Sequence, residues 1–440
     1  MNSEPLSPQT RLLLALICVA TMISHFAFSL HFYTAGSNNA PKSDLSLSGE
    51  AYLAEVPSWN TENESDAAAY NRAAVEAMKT GIPRSHTGVI FDHAPVYAWF
   101  LAGVYSIGGL RYMAVLVSSA LLAGGICLTL ALTAKNLSRQ HSGAAAVFAA
   151  LLYLVNVKLA QYVGYVNPTL LLLLFVSTAF HAVVCRYRHW RVVFIAAIVL
   201  GIWTQASFFL VGLAAGGWLF LLFLKTRQRA DILACIALFA LAGSKLGVSL
   251  LEGKSPAHDS MRRATRGIIW EANNPYYERM TPLSLWERRP GNRWSDWKAT
   301  PDEEQRYTDY LAKADADPVK AARSWITENP ARYATVCVVR LRAFLGPFTG
   351  QMSPANKVVS TILWLAVFPA GFFVLWRFRR DPLAWLAWAI TITLGVFETL
   401  VIAGWQPRYR LPMDMALTAT AAVFYAFAWA RIRPGASKKP

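Results

Sequence analysis

Charge and cysteine are both scarce in this chain, and acids are the scarcer charge. Asp, Glu, Lys and Arg make up 15% of its 440 residues, with 26 acids against 42 Lys and Arg. The five cysteines, Cys18, Cys127, Cys185, Cys235 and Cys337, form no CxxC pair, and four lie in or beside apolar runs. That pattern excludes a disulfide framework and a paired-cysteine zinc site. Repeats are absent, the two halves do not match, and the tail Pro434–Pro440 is the one biased tract. The first apolar segment has no small-residue cleavage site, so it is expected to stay as a helix rather than be removed as a signal peptide.

Apolar residues fill the space that charge leaves. They reach 55% and gather in long blocks. A run of about 20 such residues crosses a bilayer as a helix that satisfies its own backbone. Spans are predicted at 12–31, 112–133, 143–159, 168–185, 190–204, 207–224, 230–251, 357–376, 383–403 and 411–430. The fold class is therefore an all-α polytopic membrane protein of about ten spans, with 94–107 a shorter, interfacial or half-inserted helix. The run 191–224 is too long for one helix and is expected to turn within Gly201–Ser207.

Basic residues orient these spans. Arg11; Lys135 and Arg139; Arg186, Arg188 and Arg191; Lys225, Arg227 and Arg229; Arg377, Arg379 and Arg380; and Arg431, Arg433, Lys438 and Lys439 fall in alternate loops. Those loops are assigned to the cytoplasm, which puts both termini on the inner side; the membrane expected is a bacterial inner membrane. The net charge of +16 comes largely from these anchors, so it argues for a membrane surface and against nucleic acid. Three parts follow: residues 1–251, a membrane module with a first outside loop at 32–93; residues 252–356, an outside cap; and residues 357–440, the last spans and the basic tail.

Reactive side chains gather in the first outside loop. Asp66, Tyr70 and Ala74 recur every fourth residue and share one face of a helix predicted over 65–80. Asn63 and Ser65 are its cap candidates, Lys79 lies in its last turn, and Gly81 and Pro83 follow. Asp92 and His93 then stand immediately before Ala94-Pro95 and an apolar helix, while Gly36–Trp59 is expected to be irregular. His25, Lys245 and Glu398 lie within spans, where ionisable groups face protein or water rather than lipid. Arg408 and Arg410 are basic residues in an outside loop, against the charge rule. The outside cap holds WEANNP at 270–275, a Trp- and Arg-rich stretch Trp286–Trp297, and a polar helix near 302–315. An amphipathic pair at 318–330 and 331–348 follows, with Arg332, Arg340 and Arg342 spaced as on a membrane-surface helix.

An acid beside cations at the outer membrane face suits chemistry on a lipid-linked phosphate. A carboxylate serves as general base on an acceptor hydroxyl, and cations stabilise the charge on the departing phosphate. Each residue also has a plainer role. Asp66 is a first-turn acid favoured by the helix dipole; Asp92 caps a helix; His93 rests at the interface; Tyr70 packs. Arg408 and Arg410 can anchor to headgroups, Asn273 and Asn274 form a turn, and Lys245, Glu398 and His25 act as satisfied structural groups. Arg262, Arg263 and Arg266 read as a solvated face.

The residues Asp66, Tyr70, Ala74 and Gly81, then Asp92-His93-Ala94-Pro95-Val96-Tyr97 and a helix ending at Gly108-Gly109, resemble the first outside loop of the GT-C membrane glycosyltransferases. The likeness is to the protein O-mannosyltransferase-like branch and the lipid A aminoarabinose transferases. Trp270-Glu271-Ala272-Asn273-Asn274-Pro275 is similar to that group's Gly-Asn-Asn-Pro segment, and Gln406-Pro407-Arg408-Tyr409-Arg410-Leu411-Pro412 to its Arg-Tyr-x-x-Pro approach to a late helix. The order of the pieces matches along the whole chain. The resemblance implies inverting transfer of a sugar from a polyprenyl-phosphate-linked donor to a lipid A, surface-glycan or protein acceptor on the outer side. Under it, Asp66 takes the place of the catalytic carboxylate and His93 that of a phosphate-contacting lysine. It also implies seven helices before the large outside region, as counted above. Ala67, Ala94 and Asn167 depart from the pattern; the missing acids argue against a metal-dependent variant and leave Asp66 without a helper. No cofactor is expected beyond the lipid-linked sugar. The rival classes are a flippase of lipid-linked saccharides, against which the lack of matching halves counts, and a non-catalytic member of an envelope-assembly complex.

Overall fold

The computed structural model describes residues 5–35, 47–55, 66–84, 94–138, 140–205, 208–251, 273, 302, 305, 318–347, 354–400 and 410–432. Helices carry these residues: α1 (Pro8–Ala35), α2 (Gly49–Glu55), α3 (Asp66–Thr80), α4 (Pro95–Gly108), α5 (Tyr112–Leu137), α6 (Ser142–Leu154), α7 (Val157–Val163) and α8 (Thr169–Cys185). Then come α9 (Trp190–Thr204), α10 (Phe209–Thr226), α11 (Arg229–Leu251), α12 (Pro318–Glu328), α13 (Pro330–Leu345), α14 (Pro354–Arg377), α15 (Pro382–Leu400) and α16 (Leu411–Ile432). No β-strand occurs among the described residues.

Each predicted span overlaps a helix among the described residues. Five of them, α1, α5, α10, α14 and α16, are long and apolar enough to cross a membrane, and α6, α8 and α9 are shorter apolar helices. The long run 191–224 breaks where expected, with Gln205 extended after α9 and α10 starting at Phe209. Two expectations need correction. The span 143–159 stops at Leu154, because the Asn156 carbonyl accepts the Leu159 and Ala160 amides and so starts a separate helix, α7. Gly36–Trp59 is not irregular throughout: α2 forms within it, opened by Gly49 at φ +61° with its amide bonded to the Leu110 carbonyl at 2.8 Å. Tyr52 of α2 is buried, and that burial holds the short helix in place.

The chain divides into two compact units. The first holds residues 1–252, 363–390 and 411–440; the second holds 253–362 and 391–410. In the first unit, small residues let helices approach closely. Ala134 of α5, Ala145 and Ala149 of α6, and Ala422 and Ala426 of α16 form one fully buried cluster. Gly371 of α14 allows the same against α16.

The first unit has two chemically distinct ends. At one, Asn136 reaches Cys185 (3.2 Å), Arg191 pairs with Asp231 (2.7 Å) and Lys225 reaches the Arg380 carbonyl (3.4 Å). This end carries Lys135, Arg186, Arg188, Arg191, Lys225, Arg227, Arg229, Arg377, Arg379 and Arg380. At the other, His25 meets the Leu154 carbonyl (3.2 Å), Ser29 the Ala160 carbonyl (2.8 Å) and Tyr112 the Gly164 carbonyl (2.6 Å). Helices α2 to α4 belong to this second, less basic end, through the Gly49–Leu110 bond. Basic residues are thus sorted by end, as the positive-inside rule requires of a membrane bundle.

A Cβ on Gly371 would lie 2.8 Å from the Leu417 carbonyl oxygen, which is backbone and cannot swing aside, whereas one on Gly217 would meet nothing within 4 Å. Gly371→Ala is therefore expected to lower unfolding stability in detergent by about 1–3 kcal/mol, and Gly217→Ala to leave the melting midpoint where it was or raise it. Equal midpoints for the two variants would contradict the packing described.

Candidate functional site

Helix α3 forms because its sequence is alanine-rich and correctly punctuated. Lys79 lies in the last turn, and Gly81 takes φ +76° with its amide on the Ala77 carbonyl at 2.8 Å. Its buried face is Ala67, Tyr70, Asn71, Ala73, Ala74 and Ala77. Helix α4 starts with Pro95 in its first turn, where a missing amide hydrogen costs nothing, and buries Tyr97, Ala98, Leu101, Ala102 and Tyr105.

These two faces meet through aromatic rings and one amide. The Tyr70 ring stands edge-on to Tyr97 at 5.1 Å, and both side chains are 2% exposed. Asn71, at 1% exposure, accepts a hydrogen bond from the Tyr105 hydroxyl at 2.5 Å and donates to the Tyr52 hydroxyl at 3.5 Å. The two phenols are themselves 3.3 Å apart. Burial pushes the Tyr52 phenol above its ordinary range, and its bonds with Tyr105 and Asn71 partly offset the rise. Trp99 of α4 also donates to the Gly81 carbonyl at 3.0 Å. Helices α2, α3 and α4 are therefore held as one body, and the first residue of α3 is Asp66.

Helical register puts Asp66 on the face of Tyr70 and Ala74, as read from the sequence. Tyr70 itself packs between α3 and α4. For Asp66, Lys245 and Glu398 the helical backbone is described and the side chain lies outside the described set: Asp66 opens α3, Lys245 falls late in α11, and Glu398 near the end of α15. Asp92, His93 and Arg408 lie outside the described residues, as do Asn63, Ser65, Arg262, Arg263, Arg266, Asn274, Trp286–Trp297 and nearly all of 302–315. The helix after the Arg408–Arg410 stretch opens in the core shared with α3 and α4, because Leu411, Met415 and Ala419 belong to the buried cluster of Tyr70 and Tyr97. Asn167 stands one residue before the N-cap of α8, its side-chain oxygen accepting the Thr169 amide at 2.9 Å.

The second unit buries two arginines. Arg410 directs Nη1 to the carbonyls of Phe344 (3.0 Å) and Gly346, at the C-terminal end of α13 where a cation is favoured. Arg340 of α13 is fully buried and donates to Asn273 Oδ1 at 3.2 Å. The expectation that Arg340 lies on a membrane surface is therefore corrected: an inward guanidinium binds the first Asn of the Asn273-Asn274-Pro275 motif. Tyr333 of the same helix bonds the Leu400 carbonyl at 3.2 Å.

Sequence reading missed Tyr52, Asn71 and Tyr105. The available signal was helical period: Asn71 falls four residues after Ala67 and three before Ala74, on the buried face. Leaving the two phenols without their amide is expected to cost about 1–3 kcal/mol, so Asn71→Leu should lower the unfolding midpoint. A Tyr52→Phe, Tyr105→Phe double-mutant cycle should show non-additive losses; strictly additive ones would contradict the three-way contact.

Residues 92–244 match the family described as dolichyl-phosphate-mannose-protein mannosyltransferase. No curated protein matches the chain by sequence. Among solved structures, ArnT from Cupriavidus metallidurans in the apo state is 16% identical with a TM-score of 0.51, covering 96% of this chain and 62% of that one. The Archaeoglobus fulgidus oligosaccharyltransferase in the apo form is 13% identical with a TM-score of 0.52, covering 95% of this chain and 51% of that one. The same enzyme tethered with an acceptor peptide is 12% identical with a TM-score of 0.50, covering 95% and 50%. The chain thus spans about half to three-fifths of the length of these proteins, and at such identities the likeness is one of fold. Along its length the chain therefore shares the fold of these GT-C membrane glycosyltransferases, and residues 92–244 match the mannosyltransferase family model.

Proposed function

We propose that the chain transfers a sugar, with inversion, from a polyprenyl-phosphate-linked donor to a lipid A, surface-glycan or protein hydroxyl at the outer face of a bacterial inner membrane. The observation that carries this reading is the clamped α3. Asp66 opens a helix fixed by Asn71 and Tyr70, at the end of the first unit away from the basic turns. The family match, which begins at Asp92, supports it.

The acceptor oxygen attacks the anomeric carbon from the side opposite the phosphate, forming the new glycosidic bond. The bond from that carbon to the phosphate oxygen breaks, and its electron pair leaves with polyprenyl phosphate. Asp66 takes the acceptor's proton as general base. His93 and Arg408 steady the phosphate as its charge grows. Arg410, whose Nη1 is engaged by backbone carbonyls, is the second arginine proposed for that phosphate. Lys245 and Glu398 are further substrate contacts in this proposal, and Asp92 orients the acceptor.

With purified protein and a lipid-linked donor, Asp66→Asn is expected to lower the transfer rate by about a hundred- to ten-thousandfold while membrane insertion and melting stay normal. Near-normal turnover would remove Asp66 from the role. Lipid movement across vesicles without glycosylated product in the wild type would point to a flippase instead. Transfer is also expected to persist in excess EDTA; loss that added magnesium restores would show the metal independence to be wrong.

A further inference from the structure

The basic end of the first unit is more than a set of scattered anchors. Two turns, between α10 and α11 and between α14 and α15, are drawn together there. Lys225 Nζ reaches the Arg380 carbonyl at 3.4 Å and sits 5.0 Å above the Trp385 ring. Trp385 Nε1 donates to the Arg379 carbonyl at 2.7 Å, and Trp218 Nε1 to the Pro382 carbonyl at 2.6 Å. Indole N–H groups thus satisfy the backbone of the second turn and hold it against α10.

The side chains on this joined surface are strongly of one sign. Lys225, Arg227, Arg229, Arg377, Arg379 and Arg380 are exposed cations, against a single exposed acid, Asp381. The nearby Asp231 is buried and already binds Arg191 and Thr226. Exposed apolar rings stand beside the cations, with Trp376 62% and Phe378 48% exposed, and the Arg379 guanidinium lies 5.0 Å over Trp376. Both α10 and α14, which end here, are long and apolar enough to cross a membrane. Aromatic rings and guanidinium groups at that level meet the headgroup layer.

Arg227 adds a second, independent sign. It ends α10 with φ +56°, a left-handed conformation that glycine adopts without cost and arginine does not. A cap serving only the backbone would be easier as glycine.

We infer that these two turns form a binding surface for the phosphate headgroup of an anionic phospholipid in the membrane leaflet they face. The surface collects more positive charge than the protein neutralises, and its aromatic rim selects a lipid over a soluble anion. It is separate from the sugar-transfer proposal, since it lies at the opposite end of the unit from α3.

The test uses the full chain in nanodiscs of equimolar phosphatidylglycerol and phosphatidylcholine, with retained lipid read by native mass spectrometry. Phosphatidylglycerol should be enriched on the wild type. The triple variant Arg227→Gln, Arg377→Gln, Arg380→Gln should lose about tenfold or more of that enrichment, while a triple Arg→Lys variant keeps it. Arg227→Gly alone should weaken retention without lowering the melting midpoint. Equal retention of the two lipids by the wild type, or undiminished enrichment in the triple Gln variant, would overturn the inference.

Discussion

Asn71 is the constraint on which the proposed site depends. A carboxamide buried to 1% exposure within an alanine-rich helix face must find partners or destabilise the fold. It finds two phenols, Tyr105 from α4 and Tyr52 from α2. Those bonds, and the Tyr70–Tyr97 contact one residue away, fix where α3 lies and how it is rotated. Because Asp66 is the first residue of that helix, rotating α3 would carry the proposed base with it. Three buried polar groups thereby set the placement of the proposed base.

The separation of the first unit into two ends extends the same logic over the bundle. One end gathers arginines and lysines into turns braced by indoles; the other gathers tyrosines and the α2–α4 body. Sorting by charge orients a membrane protein, while sorting by hydrogen bonding builds a rigid platform at the opposite face. The chain thus assigns anchoring to one end and, in the reading proposed above, chemistry to the other. The small-residue contact among α5, α6 and α16 lies towards the basic end, next to Lys135, and packs these helices through alanines alone.

Much of this was legible in the sequence, and the gaps have physical causes. Long apolar blocks announced the helices, and α3 was bounded to within a residue because Lys79, Gly81 and Pro83 are strong local signals. The break near Gln205 followed from length alone. Helix α2 was missed because it is only seven residues long, and a long-range contact of Tyr52 stabilises it, which period cannot reveal. Asn156 was missed as a helix start because the apolar run continues through it. Arg340 looked like a surface residue, since an arginine between apolar positions suits a membrane interface equally well; only its partner Asn273, 67 residues earlier, distinguishes the two. At Arg410 the sequence showed the charge but not the two backbone carbonyls that meet Nη1, because those lie more than sixty residues earlier.

The central claim is that the donor phosphate binds at the α3–α4 end. Photo-crosslinking of the full chain in membranes with a diazirine-bearing polyprenyl-phosphate sugar, mapped by mass spectrometry, tests it most directly. The predicted result is label on the peptides containing Asp92-His93 and Arg408, competed away by unlabelled donor. Label confined to the basic turns around Arg227 and Arg380 would contradict it.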